Sequence, residues 1–285
     1  ELEARLRSIE YLPALSPAVL AVQPLLQDAS AGPAEVAAVI ASDPSLAGVV
    51  LRLANSAHYA QRAGRTASVT LAVVRLGFQE AARVVLTAGT MAAFRSLGAH
   101  LDAGEFWRHS LLVAMAARLL VRHTAHPGSI SADEAYTTGL LHDVGLLALN
   151  ALAPVQMAQV HQRIVRDGAP QPDIEREALG ISHGDAGAIL LRQWNLPEHV
   201  VQAIRWHHHP SSAPENACDF VCLLHLADFM SVGIGMGLTV EDHSSKCSEF
   251  AWRRLGISTD NFPLLVSQLE KEAGQCALLV AASLG

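Results

Sequence analysis

The stretch Ser131-Ala-Asp-Glu-Ala-Tyr-Thr-Thr-Gly-Leu-Leu-His-Asp-Val-Gly-Leu-Leu-Ala-Leu-Asn-Ala-Leu152 decides how the chain is read. Ser131 and Glu134 form a capping box, in which each side chain satisfies a free backbone N–H at a helix start. Apolar residues then recur at spacings of three and four, and this period predicts a helix over 132–152. Working outward, Ser16-Pro17 and Asp43-Pro44 each place a capping side chain before a proline at the first helical position. Gly77 reads as a helix stop. Alternation of period two over a useful length and Asn-Gly or Asp-Gly hairpin signals are both missing, so the fold class is all-α. Further helices are predicted over 17–27, 34–41, 44–57, 68–76, 79–96, 104–123, 154–167, 173–179, 183–194, 198–208, 216–231, 248–255 and 262–283. Gly, Ser and Asp gather at 98–104 and 233–245. The expected organisation is an N-terminal helical lobe, 1–100, packed on a C-terminal helical lobe, 101–285, as one integrated domain.

Composition narrows the function classes. With 51% hydrophobic and 16% charged residues over 285 positions, the chain can bury a large core and is too apolar to be disordered. Its net charge of −7 and the lack of a Lys/Arg cluster argue against nucleic acid as a partner. Lysine occurs only at Lys246 and Lys271, so almost all positive charge is arginine. The longest uncharged stretch, Val144 to Gln162, holds Asn150, Pro154, Gln156, Gln159 and His161 and is too polar for membrane insertion. Cys218, Cys222, Cys247 and Cys276 form no CxxC pair and read as small core residues, which suits a reducing cytoplasm. The chain begins at Glu1 without an initiator Met or a signal-peptide pattern and is expected to be a fragment of a longer protein.

The candidate chemistry lies in the 14 histidines, above all His109, His142, His183, His207, His208 and His209. His142 precedes Asp143, Glu105 lies four residues before His109, His183 opens a helix after Ser182, and His207-His208 close another before Pro210. Asp228 sits in an apolar run. Several helices can thus each present an oxygen or nitrogen donor to one centre, as helical bundles do for metals. The alternatives are an exposed pair or a buried imidazole held by a carboxylate at His142-Asp143, and a polar helix end at 207–209 whose rings meet terminal carbonyls and water. His225, three residues before Asp228, reads as a core residue or a support for the centre. Asp43, Asn55 and Ser56 read as structural hydrogen-bonding residues, and Trp107 and Trp194 as core anchors.

With these motifs in hand, the sequence resembles the HD superfamily of metal-dependent phosphohydrolases and, more closely, its HDOD branch, a helical domain of bacterial signalling proteins. The resemblance rests on Ser42-Asp-Pro-Ser-Leu46 with Leu53-Ala-Asn-Ser-Ala57, on Gly139-Leu-Leu-His-Asp-Val-Gly145, on Gly180-Ile-Ser-His-Gly-Asp-Ala-Gly187, and on Trp194-Asn-Leu-Pro197 leading to His207-His-His-Pro210. It covers about residues 11 to 230 and makes the C-terminal lobe HD-like. It implies His109, His142, Asp143, His183, His207, His208 and Asp228 as metal ligands, with Glu105 as a further candidate. Asp143 is then the carboxylate placed to bridge two ions and the candidate catalytic residue. The cofactor implied is a divalent metal such as iron or manganese. The HD-GYP phosphodiesterases carry a Lys shortly after the His-Asp pair and a Gly-Tyr-Pro motif after the His-His pair, where this chain has Leu146 and Ser211-Ser-Ala-Pro214. The function expected from the resemblance is therefore a cytoplasmic signal-transduction output domain, of the kind found in response regulators. It would act by protein–protein interaction with other signalling proteins or a receiver-type domain of the same chain, without efficient catalysis. The alternative is a metal-dependent phosphohydrolase.

Overall fold

The structure, a computed structural model, describes residues 2–7, 15–28, 31–60, 64–95, 101–125, 130–234 and 247–284. Most of the two expected breaks, and Lys246, fall outside the described residues. Among those residues every regular element is helical: α1 (Leu2–Arg7), α2 (Pro17–Gln27), α3 (Pro33–Ala41), α4 (Pro44–Ala54), α5 (Ala57–Ala60), α6 (Val69–Leu76), α7 (Phe78–Phe94), α8 (Ala103–Val121), α9 (Ala132–Leu141), α10 (Val144–Leu152), α11 (Pro154–Asp167), α12 (Gln171–Leu179), α13 (His183–Gln193), α14 (Glu198–Trp206), α15 (Cys218–Gly233), α16 (Glu249–Leu255) and α17 (Phe262–Leu284). None of these helices is long and apolar enough to cross a membrane.

The chain divides into two compact units, neither continuous in sequence: residues 1–12 with 97–274, and residues 13–96 with 275–285. The helix α1 belongs with the later chain because it packs on α13, where the Gln193 amide donates to the Leu6 carbonyl at 3.1 Å. The end of α17 belongs with the earlier chain because Arg52 donates to Ala282 O (2.6 Å) and Arg95 to Ser283 O (3.1 Å). Both arginines satisfy carbonyls that a helix C-terminus leaves unpaired.

In the unit of residues 13–96, α7 packs against α2 and α4, and α6 against α3 and α4. Asp43 caps α4 by accepting from Ser45 N (2.9 Å) and Leu46 N (3.2 Å). The sequence predicts a helix over 44–57, but α4 ends at Ala54. There Asn55 turns out to bind both backbone groups of Thr66, at 2.8 Å each, which competes with continuing the helix.

In the unit of residues 97–274, α8 packs against α9 and α15, and α13 against α10 and α14. The helix α15 is buried nearly all round, as a helix at the centre of a core must be. Gly139 on α9 meets α8 so closely that a Cβ would lie 2.6 Å from Ala114 Cα. At Gly145 on α10 a Cβ would lie 2.0 Å from the His183 carbonyl oxygen. These two glycines bring α9 and α10 to within backbone contact of their neighbours. The predicted helix over 132–152 is broken between them, at His142 and Asp143. The His142 ring takes up the Gly139 carbonyl at 2.8 Å, in place of the next backbone N–H, and the chain restarts as α10 from Asp143.

Candidate metal centre

Five parts of the unit of residues 97–274 each deliver donors to one place: α8 brings His109, the α9–α10 break His142 and Asp143, the start of α13 His183, the end of α14 His207 and His208, and α15 Asp228. His109, His142, Asp143, His183, His207 and Asp228 are each 6% exposed or less, and His208 is half-buried. The ligand atoms fall into two groups, His109–His142–Asp143 and Asp143–His183–His207–His208, with all atoms in each group within 4.8 Å of one another. Asp143 joins them. Its Oδ2 lies 3.1 Å from His142 Nε2 and 3.8 Å from His109 Nε2. Its Oδ1 lies 3.6 Å from His183 Nε2 and 3.7 Å from His207 Nε2. Asp228 Oδ1 closes the first group, 3.3 Å from His109 Nε2.

Hydrogen bonds behind the rings set their tautomers. A carbonyl can only accept, so His142 Nδ1 donates to Gly139 O (2.8 Å) and His207 Nδ1 to Ile204 O (2.6 Å). Ser231 Oγ gives its proton to Asp228 O (2.8 Å) and so accepts from His109 Nδ1 (3.2 Å). His183 Nδ1 donates to Glu175 Oε2 at 2.7 Å. His109, His142 and His207 therefore turn an Nε2 lone pair inward, the arrangement metal-ligating histidines use, and His183 does so once its Nε2 has given up its proton. His109 Nε2 and His142 Nε2 face each other at 3.2 Å, and two lone pairs are stable at that distance only with a cation or a proton between them. Asp143 Oδ1 and His207 Nε2 are buried without a hydrogen-bond partner, a costly state that coordination would relieve. This donor set fits a divalent cation.

The electrostatics prepare the donors. Burial acts to raise the Asp143 pKa, but His142, His183 and His207 outweigh it and hold the carboxyl well below its usual range. Burial likewise opposes ionisation of Asp228, and the hydrogen bond and charge of His109 bring it below normal. Burial, with His142 and His183 nearby, pushes His207 down to about 3, and burial with His207 and His183 pushes His208 well down. His183 is the exception: burial opposes its charge, yet Glu175, Asp143 and Asp228 lift it to about 9.

Glu105, expected as a weaker ligand, is exposed in the first turn of α8 and outside both groups. His209 turns to Arg176 (3.3 Å) and Asp173 (3.7 Å) instead. His225 supports the centre from behind, donating from Nδ1 to His207 O (2.8 Å) and accepting from Ser248 N at Nε2 (3.2 Å). Sequence reasoning missed Glu175. In Gln171-Pro-Asp-Ile-Glu-Arg-Glu-Ala-Leu179 nothing distinguishes the fully buried Glu175 from the exposed Asp173 and Glu177.

An all-helical chain with a buried His/Asp centre at the meeting of α8, α9, α13, α14 and α15 defines an HD-type domain. Residues 12–210 match the HDOD domain family, and the chain belongs to it. An uncharacterised protein of Treponema pallidum (strain Nichols) is 25% identical over 207 residues, covering 73% of this chain and 39% of that one, so the chain spans about two-fifths of that relative's length. An HDOD domain protein of unknown function from Geobacter sulfurreducens shares the fold with a TM-score of 0.77 at 24% identity, over 98% of both chains. A protein of Marinobacter aquaeolei VT8, provisionally called a signal transduction protein, gives a TM-score of 0.82 at 25% identity over all of this chain and 62% of that one. One of Shewanella amazonensis SB2B, provisionally called a phosphohydrolase, gives 0.74 at 26% identity over 99% of this chain and 97% of that one.

Proposed function

We propose that this chain is a regulatory HDOD domain of bacterial signal transduction that acts by protein–protein interaction, holding a divalent cation such as iron or manganese in its His/Asp centre without efficient turnover. The observation that carries this reading is the enclosure of the centre: six of its seven donor residues are 6% exposed or less, which suits retention of an ion and not passage of a bulky phosphoester. His109, His142, Asp143, His183, His207, His208 and Asp228 would hold the ion. The parts that would anchor a substrate phosphate are also missing. Leu146 is packed in the core of α10, and Pro210–Ser212 forms a tight 3-10 turn. Arg176, 3.3 Å from His209, and Arg205 are engaged by Asp185 at 3.4 and 2.9 Å. The Marinobacter relative supports a signalling role, with another signalling module on the same or a separate chain as partner. The burial of Cys218, Cys222 and Cys276 as small core residues suits a reducing cytoplasm.

The complete donor set favours a second reading, a metal-dependent phosphohydrolase, as the Shewanella relative is provisionally called. A divalent cation held there supplies Lewis-acid chemistry for phosphoester hydrolysis. One experiment separates the readings: metal analysis of protein purified without an affinity tag, followed by cyclic dinucleotide assays with manganese or iron, for wild type and Asp143→Ala. Bound cation in the wild type alone, with equal background turnover in both, is the expected result. Turnover that Asp143→Ala abolishes would establish the enzyme, and wild type that takes up no cation would remove the metal from the proposal.

A further inference from the structure

Glu175 is a carboxylate with no exposed surface, on α12, a helix that contributes no other group to the centre. Both of its oxygens are engaged. Oε2 accepts from the His183 backbone N–H and from its Nδ1, each at 2.7 Å, and Oε1 accepts from Gln171 Nε2 at 2.7 Å. A buried anion is costly unless its surroundings answer it. Here the answer comes from the first amide of α13, where a helix terminus favours negative charge, and from the ring of one candidate ligand. His142 and His207 rest on main-chain carbonyls, whereas His183 rests on a side-chain carboxyl oxygen. Such a carboxylate fixes the ring's orientation and makes its outer nitrogen a stronger donor.

We infer that Glu175 is a positioning residue for the cation site, which orients and polarises His183 and through that bond ties the helix pair α11–α12 to the centre. The inference rests on the metal-binding reading above. The pair has a small apolar cluster of its own, Val160, Ile164 and Ile174, with Ala169 packed against it. The Glu175–His183 contact gives this satellite cluster a polar connection to the site. A cation that holds His183 from the front therefore also restrains Glu175, and with it α12, from behind.

The test is manganese affinity, measured by competition with a chelator on the full chain, for wild type, Glu175→Gln and Glu177→Gln. Glutamine keeps the shape and one acceptor but removes the charge. Glu175→Gln is expected to bind manganese tenfold to a hundredfold more weakly and to alter the visible spectrum of the cobalt(II)-loaded protein. Glu177→Gln, which removes a charge from the exposed side of the same helix, should leave both close to wild type. A Glu175→Gln protein that melts lower in chelator but binds with unchanged affinity and an unchanged cobalt spectrum would overturn the role. Wild type that binds no cation would instead overturn the metal reading, and this role with it. Should Glu175→Gln fail to fold, hydrogen exchange of the wild type decides: manganese is expected to slow the amides of Gln171–Leu179, and no change there refutes the connection.

Discussion

Asp143 shows how much one side chain can decide. Its two oxygens face different pairs of imidazoles, and one of them has no hydrogen-bond partner. Asp143→Ala should therefore remove cation binding, whereas Glu105→Ala, at an exposed position, should leave cation content unchanged; metal analysis of the two variants checks both. His183 sets a pH dependence. Its folded value of about 9 lies above the ordinary 6.5, so in the cation-free protein its contribution to stability is fully present below 6.5 and is lost as pH rises through about 9. A cation needs the deprotonated ring, so protons compete with it across the same window and uptake should release protons. Cation affinity is expected to rise from pH 6.5 to 9, and isothermal titration in two buffers of different ionisation heat reads the proton release. At this scale the converging donors were legible because His and Asp are rare in apolar surroundings and their order along the chain is distinctive. Glu175 was not, since burial of one acid among three in a charged stretch is decided by tertiary packing.

At the scale of the element, the His142-Asp143 break matters most, and the sequence hid it. The apolar period runs through 132–152 without interruption, so periodicity predicts one helix; the break depends on a side chain replacing a backbone donor at Gly139 and on α10 pressing against α13 at Gly145. Gly145 permits that approach by lacking a Cβ. Gly145→Ala would force backbone apart at a contact of 2.0 Å and should destabilise the fold by about 3 kcal/mol, while also displacing His183 and weakening cation binding. Ser131→Ala, at the start of α9, should cost only about 1 kcal/mol, because it removes a cap and disturbs no packing. Urea denaturation of both variants in chelator compares the two. The cap at Ser131 was readable because it is local; the close approach at Gly145 was not, because its partner is 38 residues away, at His183.

For the molecule as a whole, the sequence shows a wholly helical chain and leaves the membership of its ends concealed. Nothing in the apolar period assigns α1 to the later chain or the last turns of α17 to the earlier one, since single contacts of Gln193, Arg52 and Arg95 settle both. The centre joins α8, the α9–α10 break, α13, α14 and α15, so a cation bound there holds together elements spread from residue 103 to residue 233. An ion that binds only the folded form stabilises it by about 2.7 kcal/mol at a free concentration one hundred times its Kd, a factor of about 100 in the opening equilibrium. Amides of α8, α13 and α15 that exchange only when this unit opens should thus slow by about 100-fold on adding manganese at that concentration. Asp143→Ala should show no such slowing. If wild type and Asp143→Ala exchange alike with and without manganese, the centre does not bind the elements together, and the donors converge for a reason other than a cation.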